Sequence, residues 1–110
     1  MKSIKFEENS KLETINSWAF YNNQLTNIKI PNSVITIEQH AFGENPLSSV
    51  TFEENSKLDY IGDYAFYSYS ALLQEVTIPD SVTYLSCGAF WESVNVIKKD
   101  SLTCTVAVPR

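Results

Sequence analysis

The stretch from Leu25 to Phe42, LTNIKIPNSVITIEQHAF, decides the fold because its pattern occurs again from Leu73 to Phe90, LQEVTIPDSVTYLSCGAF. Both stretches place two apolar residues two positions apart, continue with Pro-x-Ser-Val and end with Ala-Phe. The alternation of apolar and polar residues predicts a half-buried strand, which the proline ends because it has no amide donor. A long pattern that recurs in one chain predicts a repeat architecture.

The Ala-Phe dipeptide marks four repeats. Its phenylalanines, at positions 20, 42, 66 and 90, lie 22, 24 and 24 residues apart. Four short alternating runs precede or separate these blocks: Ile4–Phe6, Ile28–Ile30, Val50–Phe52 and Val76–Ile78. A unit of this length cannot bury its apolar residues alone, so neighbouring units must stack around a shared core. The spacing therefore predicts a solenoid with one strand per turn and the four phenylalanines in an interior column.

The stretch Leu25–Val34, followed by Ile37 and Ala41-Phe42, resembles the LxxIxIPxSVxxIxxxAF repeat of BspA-like leucine-rich repeats. The resemblance covers residues 4 to about 92. It implies a leucine-rich-repeat solenoid with a parallel β-sheet on the concave face and short helical or irregular segments on the convex side. It also implies a cell-surface or secreted protein that binds host or neighbouring-cell macromolecules. In the wider leucine-rich-repeat pattern, Ser33 and Ser81 hold the asparagine position.

The repeat pattern divides the chain into two parts. Residues 1–92 form the predicted solenoid of about four repeats. Residues 93–110 depart from the pattern and suggest a strand, a turn and a second strand. A C-terminal cap and the start of a following segment are both compatible with this sequence. Residues 1–6 contain no apolar h-region, so we expect no signal peptide there.

Composition and charge exclude several classes of partner. The chain has 110 residues, 44% of them hydrophobic, which is enough for one globular domain. Its net charge is −5 and its eight basic residues are scattered, which argues against a nucleic-acid partner. No run of about 18 apolar residues occurs, so we expect no membrane insertion.

The candidate binding residues are the outward positions of the predicted strands. With Ile28 and Ile30 facing the core, alternation exposes a polar sheet face that includes Asn27, Lys29, Ser49, Thr51, Glu75 and Thr77. This face suits recognition of a polar macromolecule, and an ordinary solvated face explains it equally. The position six before each phenylalanine adds Tyr60 and Tyr84, which should be neighbours. Paired tyrosines are common binding anchors, although we favour partly buried packing for them.

We expect no catalysis and no cofactor. His40 is the only histidine, and the equivalent positions in the other repeats hold Trp18, Tyr64 and Gly88, so His40 is interpreted as a packing residue. The acidic pairs Glu7-Glu8 and Glu53-Glu54 can attract calcium, but a solvated turn is the favoured interpretation because no dense calcium loop accompanies them.

The two cysteines do not define a redox compartment. Cys104 alternates with Leu102, Val106 and Val108, which predicts a buried packing position, whereas Cys87 is expected to be accessible. One bridge between the two cysteines and two free thiols are both compatible with the sequence.

The sequence thus favours a non-catalytic binding module for a protein or glycan, such as extracellular matrix or another cell surface. The alternative is a structural spacer that belongs to a longer repeat protein and has no ligand of its own. Uncapped repeats leave an apolar cross-section, so we also expect end-to-end self-association or marginal stability.

Overall fold

A computed structural model describes residues 3–7, 9–68, 72–91 and 93–106. These residues form a parallel β-solenoid of about four turns, and they contain no helix. The eight strands are β1 (Thr14–Ile15), β2 (Asn27–Ile30), β3 (Thr36–Ile37), β4 (Ser49–Phe52), β5 (Tyr60–Ile61), β6 (Glu75–Thr77), β7 (Tyr84–Leu85) and β8 (Asn95–Ile97). The predicted leucine-rich-repeat solenoid is confirmed, with irregular segments between its strands.

Two rows of parallel strands run along the solenoid. One row is a four-stranded sheet in the order β1-β3-β5-β7, and the other consists of the pairs β2-β4 and β6-β8. The prediction of one strand per turn was therefore wrong, because a full turn such as the one with β2 and β3 contains two. The strands of the four-stranded sheet have two residues each, and alternation cannot reveal so short a strand.

The four-stranded sheet keeps the repeat in register. Thr14, Thr36, Tyr60 and Tyr84 lie opposite one another, and the aliphatic residue that follows each of them is buried. One position thus points outward and the next faces the core in every turn, as the pleat of a strand requires.

The core contains the predicted column of phenylalanines. Neighbouring rings stack nearly parallel, with centroids 5.2 Å apart for Phe20–Phe42, 5.4 Å for Phe42–Phe66 and 5.1 Å for Phe66–Phe90. Phe20 is half-buried while the other three are buried. Each fully buried ring stabilises the fold by roughly 1.5–3 kcal/mol, so the column joins every turn into one core.

Small residues let the turns approach closely. The amide of each of the first three column phenylalanines donates to the carbonyl of the alanine in the next turn, for example from Phe42 to Ala65 at 2.7 Å. Gly62 is needed for the same reason, since a Cβ there would lie 2.9 Å from the backbone nitrogen of Gln39. Ser33 and Ser81 add side-chain links, because their hydroxyls donate at 2.6 Å to the carbonyls of Leu12 and Leu58 in the preceding turns.

The C-terminal segment continues the solenoid and is tied to it. Strand β8 pairs in parallel with β6, and Thr105 forms an isolated bridge with Ser86. A disulfide joins Cys87 to Cys104, whose Cα atoms are 4.8 Å apart. The division of the chain at residue 92 stays a prediction.

The prediction that Cys104 is a buried packing residue was wrong. Cys104 is exposed and bonded to Cys87, while Leu102 is buried and Val106 is 75% exposed. The alternation argument fails here because the described part of this stretch pairs only at Thr105 and does not form a strand with a regular pleat.

Candidate functional site

The exposed sheet face carries six of the predicted binding residues. Along β2, Asn27 and Lys29 are exposed and the two isoleucines that alternate with them are buried. The register with β4 places Asn27 opposite Ser49 and Lys29 opposite Thr51, so these four residues form two adjacent polar rows. Glu75 and Thr77 are exposed in the same way on β6.

A groove opens where the sheet is interrupted. Strands β4 and β6 are neighbours, but hydrogen bonds do not join them into one sheet. The interruption coincides with the longest repeat, since 26 residues separate Val50 from Val76 and only 22 separate Ile28 from Val50. The groove has a volume of about 650 Å³ and brings together Thr51, Glu75 and Thr77.

The groove is acidic. The described residues that line it include Glu53, Glu75 and Asp80, and no Lys or Arg is among those described residues. The carboxylate of Glu53 is held in place because it accepts a hydrogen bond from the backbone amide of Asn32 at 2.9 Å. A concave surface with one sign of charge attracts groups of the opposite sign, so the groove favours Lys or Arg side chains of a partner.

Tyr60 and Tyr84 are neighbours, as predicted, but they lie in the four-stranded sheet and not in the groove. Their rings stack with centroids 4.6 Å apart and planes 10° apart. Burial, followed by the charge of Tyr84, raises the pKa of the Tyr60 hydroxyl above its usual value. Tyr60 is exposed and Tyr84 half-buried, so the pair combines an accessible edge with mutual packing.

A second aromatic group lies in the irregular segments, at the positions two before the column phenylalanines. The rings of Trp18, His40 and Tyr64 form a stack, with centroids 3.9 Å apart in the first pair and 5.0 Å in the second. We call these three residues the surface stack, because Trp18 is 49% exposed and Tyr64 is 40% exposed. His40 does pack between two rings, as expected from the sequence, but the repeat gives no sign that the packing occurs at the surface.

The environment of His40 disfavours its protonated form. Burial between the rings lowers the pKa of the imidazole from its usual 6.5, and the carboxylates of Asp63 and Glu44 oppose this effect. A neutral imidazole is the form that stacks without the cost of removing a charge from water.

The surface stack has an unusual backbone. Trp18, His40 and Tyr64 have φ values of 65°, 57° and 59°, in the left-handed region. Each occupies the third position of a hydrogen-bonded turn, for example the turn from Glu38 to Ala41, where positive φ normally favours Gly or Asn. Bulky residues in such a conformation cost about 1 kcal/mol or more each, which makes these positions notable.

Two recesses flank Tyr64, and each lies near a glycine in a repeat position that elsewhere holds an aromatic side chain. In one, Gly43 takes the position of Tyr21, Tyr67 and Trp91, and the recess of about 360 Å³ is lined by Tyr21, His40, Glu44, Tyr64 and Tyr67. In the other, Gly88 takes the position of the surface stack, and the recess has about 330 Å³. Both recesses share Tyr64 and Tyr67.

Comparison with known families agrees with this architecture. The model of the BspA type leucine rich repeat region matches residues 1–104 in six copies. The chain belongs to this family. No curated protein and no solved structure matches it.

Membership in the BspA-type leucine-rich-repeat family bears on the kind of function. Repeats of this type are protein-interaction modules and are typically non-catalytic, and proteins of the family are often surface-associated or secreted. Helices long and apolar enough to cross a bilayer do not occur in the described part of the chain.

The acidic pairs of this BspA-type repeat do not form a metal centre in the part that the structure describes. Among those residues no group of three or more His, Cys, Asp or Glu could hold an ion. Glu7 and Glu54 are exposed and Glu53 bonds the Asn32 amide, while Glu8 lies outside the described residues.

Proposed function

We propose that this BspA-type repeat is a non-catalytic interaction module that binds a macromolecular partner outside the cell or at its surface. The observation that carries the proposal is the acidic groove between β4 and β6, which contains three of the eight residues proposed from the sequence. The polar rows on β2 and β4 extend the contact surface beside the groove.

The chemistry of the groove favours a protein partner that presents Lys or Arg side chains. The carboxylates of Glu53, Glu75 and Asp80 supply the charge, and the hydroxyls of Thr51 and Thr77 supply additional hydrogen-bonding groups. Opposite charge across an interface accelerates association and orients the partner, and the effect weakens with salt.

The extracellular assignment has support from the disulfide. Such bonds persist in oxidising compartments and are rare in the reducing cytosol. The bond between Cys87 and Cys104 is consistent with a protein that acts at the cell surface or after secretion, as an adhesion or interaction domain.

A charge substitution in the groove tests the proposal. Thr51→Arg introduces a cation into the groove that Glu75 also lines, while Thr103→Arg makes the same change at an exposed threonine outside the groove. The three proteins are titrated against immobilised extracellular-matrix glycoproteins at low and physiological salt. We expect saturable, salt-sensitive binding by the parent, a loss of about tenfold in affinity, or about 1.4 kcal/mol, in Thr51→Arg, and no change in Thr103→Arg.

Two outcomes contradict the proposal. Equal affinity of Thr51→Arg and the parent would place the contact elsewhere on the solenoid. An absence of saturable binding by a parent protein whose circular dichroism shows it folded would instead support the structural spacer.

A further inference from the structure

The surface stack ends in an unfilled stacking position. His40 covers one face of the Tyr64 ring, and the next turn places Gly88 on the other side. A Cβ added to Gly88 would lie 3.7 Å from Cε1 and 4.0 Å from Cζ of Tyr64, which is ordinary contact distance. A side chain at position 88 would therefore cover this face of Tyr64, and glycine leaves it without that cover.

The recess at this position has aromatic walls, and the described residues that line it are uncharged. It is lined by Tyr64, Tyr67, Cys87, Gly88, Phe90 and Trp91. The ring of Tyr67 is nearly perpendicular to that of Tyr64, with centroids 5.2 Å apart, and Trp91 lies 5.2 Å beyond Tyr67. A ring-shaped ligand that entered here would continue the stack of Trp18, His40 and Tyr64 and would contact two further aromatic side chains.

From this geometry we propose that the recess between Tyr64 and Gly88 binds a neutral sugar ring of a glycan. The C–H face of a pyranose is apolar and weakly positive, so it complements the negative face of the Tyr64 ring. Its equatorial hydroxyls point sideways, where tyrosine hydroxyls can donate and accept hydrogen bonds. The described residues of the lining carry no charge, which favours a neutral sugar over a sulfated or carboxylated one.

The exposure of the recess favours a sugar over an aromatic side chain of a protein. Aromatic anchors in protein interfaces gain their energy in pockets that become fully desolvated. Tyr64 is 40% exposed, so an inserted phenyl or indole ring would remain partly in water. A sugar loses little in such a place, because its outer hydroxyls stay hydrated while its apolar face covers the ring.

The neighbouring recess extends the site to more than one sugar. The recess at Gly43 shares Tyr64 and Tyr67 with the recess at Gly88, so the two are contiguous along the solenoid. Tyr21 lies at one end of the two combined recesses and Trp91 at the other. These two residues are three turns apart, which corresponds to about 14 Å at the usual strand spacing. A length of this order fits a short oligosaccharide. Glu44 in the recess at Gly43 provides a carboxylate that can accept hydrogen bonds from sugar hydroxyls.

The positive φ values of the surface stack agree with a functional role. Three aromatic side chains occupy turn positions that favour Gly or Asn, although Gly88 in the fourth repeat has no positive φ. Strained residues of this kind persist where the side chain contributes something that an easier residue would not. Ring faces that are available to a ligand are such a contribution.

The test fills the recess without disturbing the backbone. Gly88→Leu is suitable because the φ of Gly88 is not positive and the added Cβ meets only ordinary contacts. Tyr64→Ala removes the stacking face, and Thr51→Arg serves as a control because it changes only the separate groove. All variants and the parent are titrated with cellotetraose, chitotetraose and mannotetraose by calorimetry and by tryptophan fluorescence.

We expect the parent to bind at least one of the three tetrasaccharides. Loss of the ring contact should weaken binding by about tenfold in Gly88→Leu and Tyr64→Ala, and Thr51→Arg should bind as the parent does. If the parent binds none of the three, or if Gly88→Leu binds as well as the parent, the proposal is overturned. Binding of N-acetyltryptophanamide without any of the sugars would assign the recess to a protein side chain and also overturn it. None of these outcomes depends on the partner of the acidic groove.

Discussion

At the scale of single residues, Asn45 shows how one polar side chain joins two turns. It is fully buried, and its amide nitrogen donates to the carbonyls of Phe20 and Phe42 at 2.9 Å each. Its amide oxygen accepts from the backbone amides of Asn23 at 3.1 Å and Leu25 at 3.2 Å. The side chain therefore satisfies backbone groups of two consecutive turns that would otherwise lack partners in the interior.

We predict that Asn45→Ala lowers the free energy of unfolding by about 3 kcal/mol, because it leaves several buried donors and acceptors without partners. Asn27→Ala removes the same side chain from the exposed sheet face and should change stability by no more than about 0.5 kcal/mol. Urea unfolding followed by circular dichroism measures both variants. A loss below about 1 kcal/mol for Asn45→Ala would show that water replaces its hydrogen bonds.

The sequence could not indicate Asn45 in advance. Asparagine stands three positions after the phenylalanine in the first two repeats only, as Asn23 and Asn45, and the later repeats have Tyr69 and Ser93 there. Repeat analysis detects positions that recur, as with Ser33 and Ser81, whose hydroxyls do link turns. A residue that serves one junction between turns carries no periodic signal.

At the scale of elements, pattern strength decided what could be predicted. The alternating runs at β2, β4 and β6 were predicted as strands because three or more residues show the period of two. The same rule was wrong for Ile4–Phe6, which is irregular in the structure. Strands β1, β3, β5 and β7 were missed because each has two residues, and their pairing depends on the turns stacked on either side. The same tertiary dependence applies to residues 102–106, where a predicted strand is reduced to one bridge and a disulfide.

The disulfide is the element-scale feature with the clearest energetic consequence. Cys87 and Cys104 are 17 residues apart. Closing a loop of that length lowers the conformational entropy of the unfolded chain, which stabilises the folded protein by about 3 kcal/mol. We predict that the variant with both cysteines changed to serine unfolds at lower urea, by about this free energy. Parent protein treated with dithiothreitol should match it, and dithiothreitol should leave the variant unchanged.

Hydrogen exchange locates the effect of the disulfide. The amide of Cys87 donates to Thr105 at 2.8 Å, and the amide of Thr105 donates to Leu85 at 2.7 Å. These two amides should lose protection on reduction, while those of the first turns keep theirs, since each turn of a solenoid contacts only its neighbours. Uniform loss of protection would show that the C-terminal segment supports the whole solenoid.

At the scale of the whole molecule, the periodic core was predictable and the candidate sites only partly so. The spacing of Ala-Phe predicted the stacked phenylalanines and the solenoid, because a shared interior imposes the same residue on every turn. The acidic groove arises from an irregularity between β4 and β6, and the sugar recess arises from a glycine that interrupts an aromatic position. The candidate sites occur where the repeat departs from its own pattern, which periodicity cannot interpret.

The two ends of the solenoid differ. At the C-terminal end, the segment with Leu102 packs against the last turn, held by the disulfide and by the ammonium groups of Lys98 and Lys99, which donate at 2.6 Å to backbone carbonyls. At the N-terminal end, β1 is an edge strand, Leu12 is 38% exposed and Trp18 is 49% exposed. An edge strand beside exposed apolar side chains is a template for association.

We therefore predict that this 110-residue chain forms a dimer through its N-terminal end, where β1 is an edge strand and Trp18 is exposed. Trp18→Lys should shift the protein to monomer by placing a charge in the contact, whereas Val106→Lys, at the opposite end, should leave the dimer intact. Sedimentation equilibrium from micromolar to millimolar concentration measures both variants beside the parent. A parent that stays monomeric over this range would show that Phe6, which lies edge-on to Phe20 at 6.5 Å, covers the first turn well enough to protect it. Dissociation by Val106→Lys but not by Trp18→Lys would instead place the contact at the C-terminal end. Dissociation by both variants would indicate chains joined head to tail, which form open filaments.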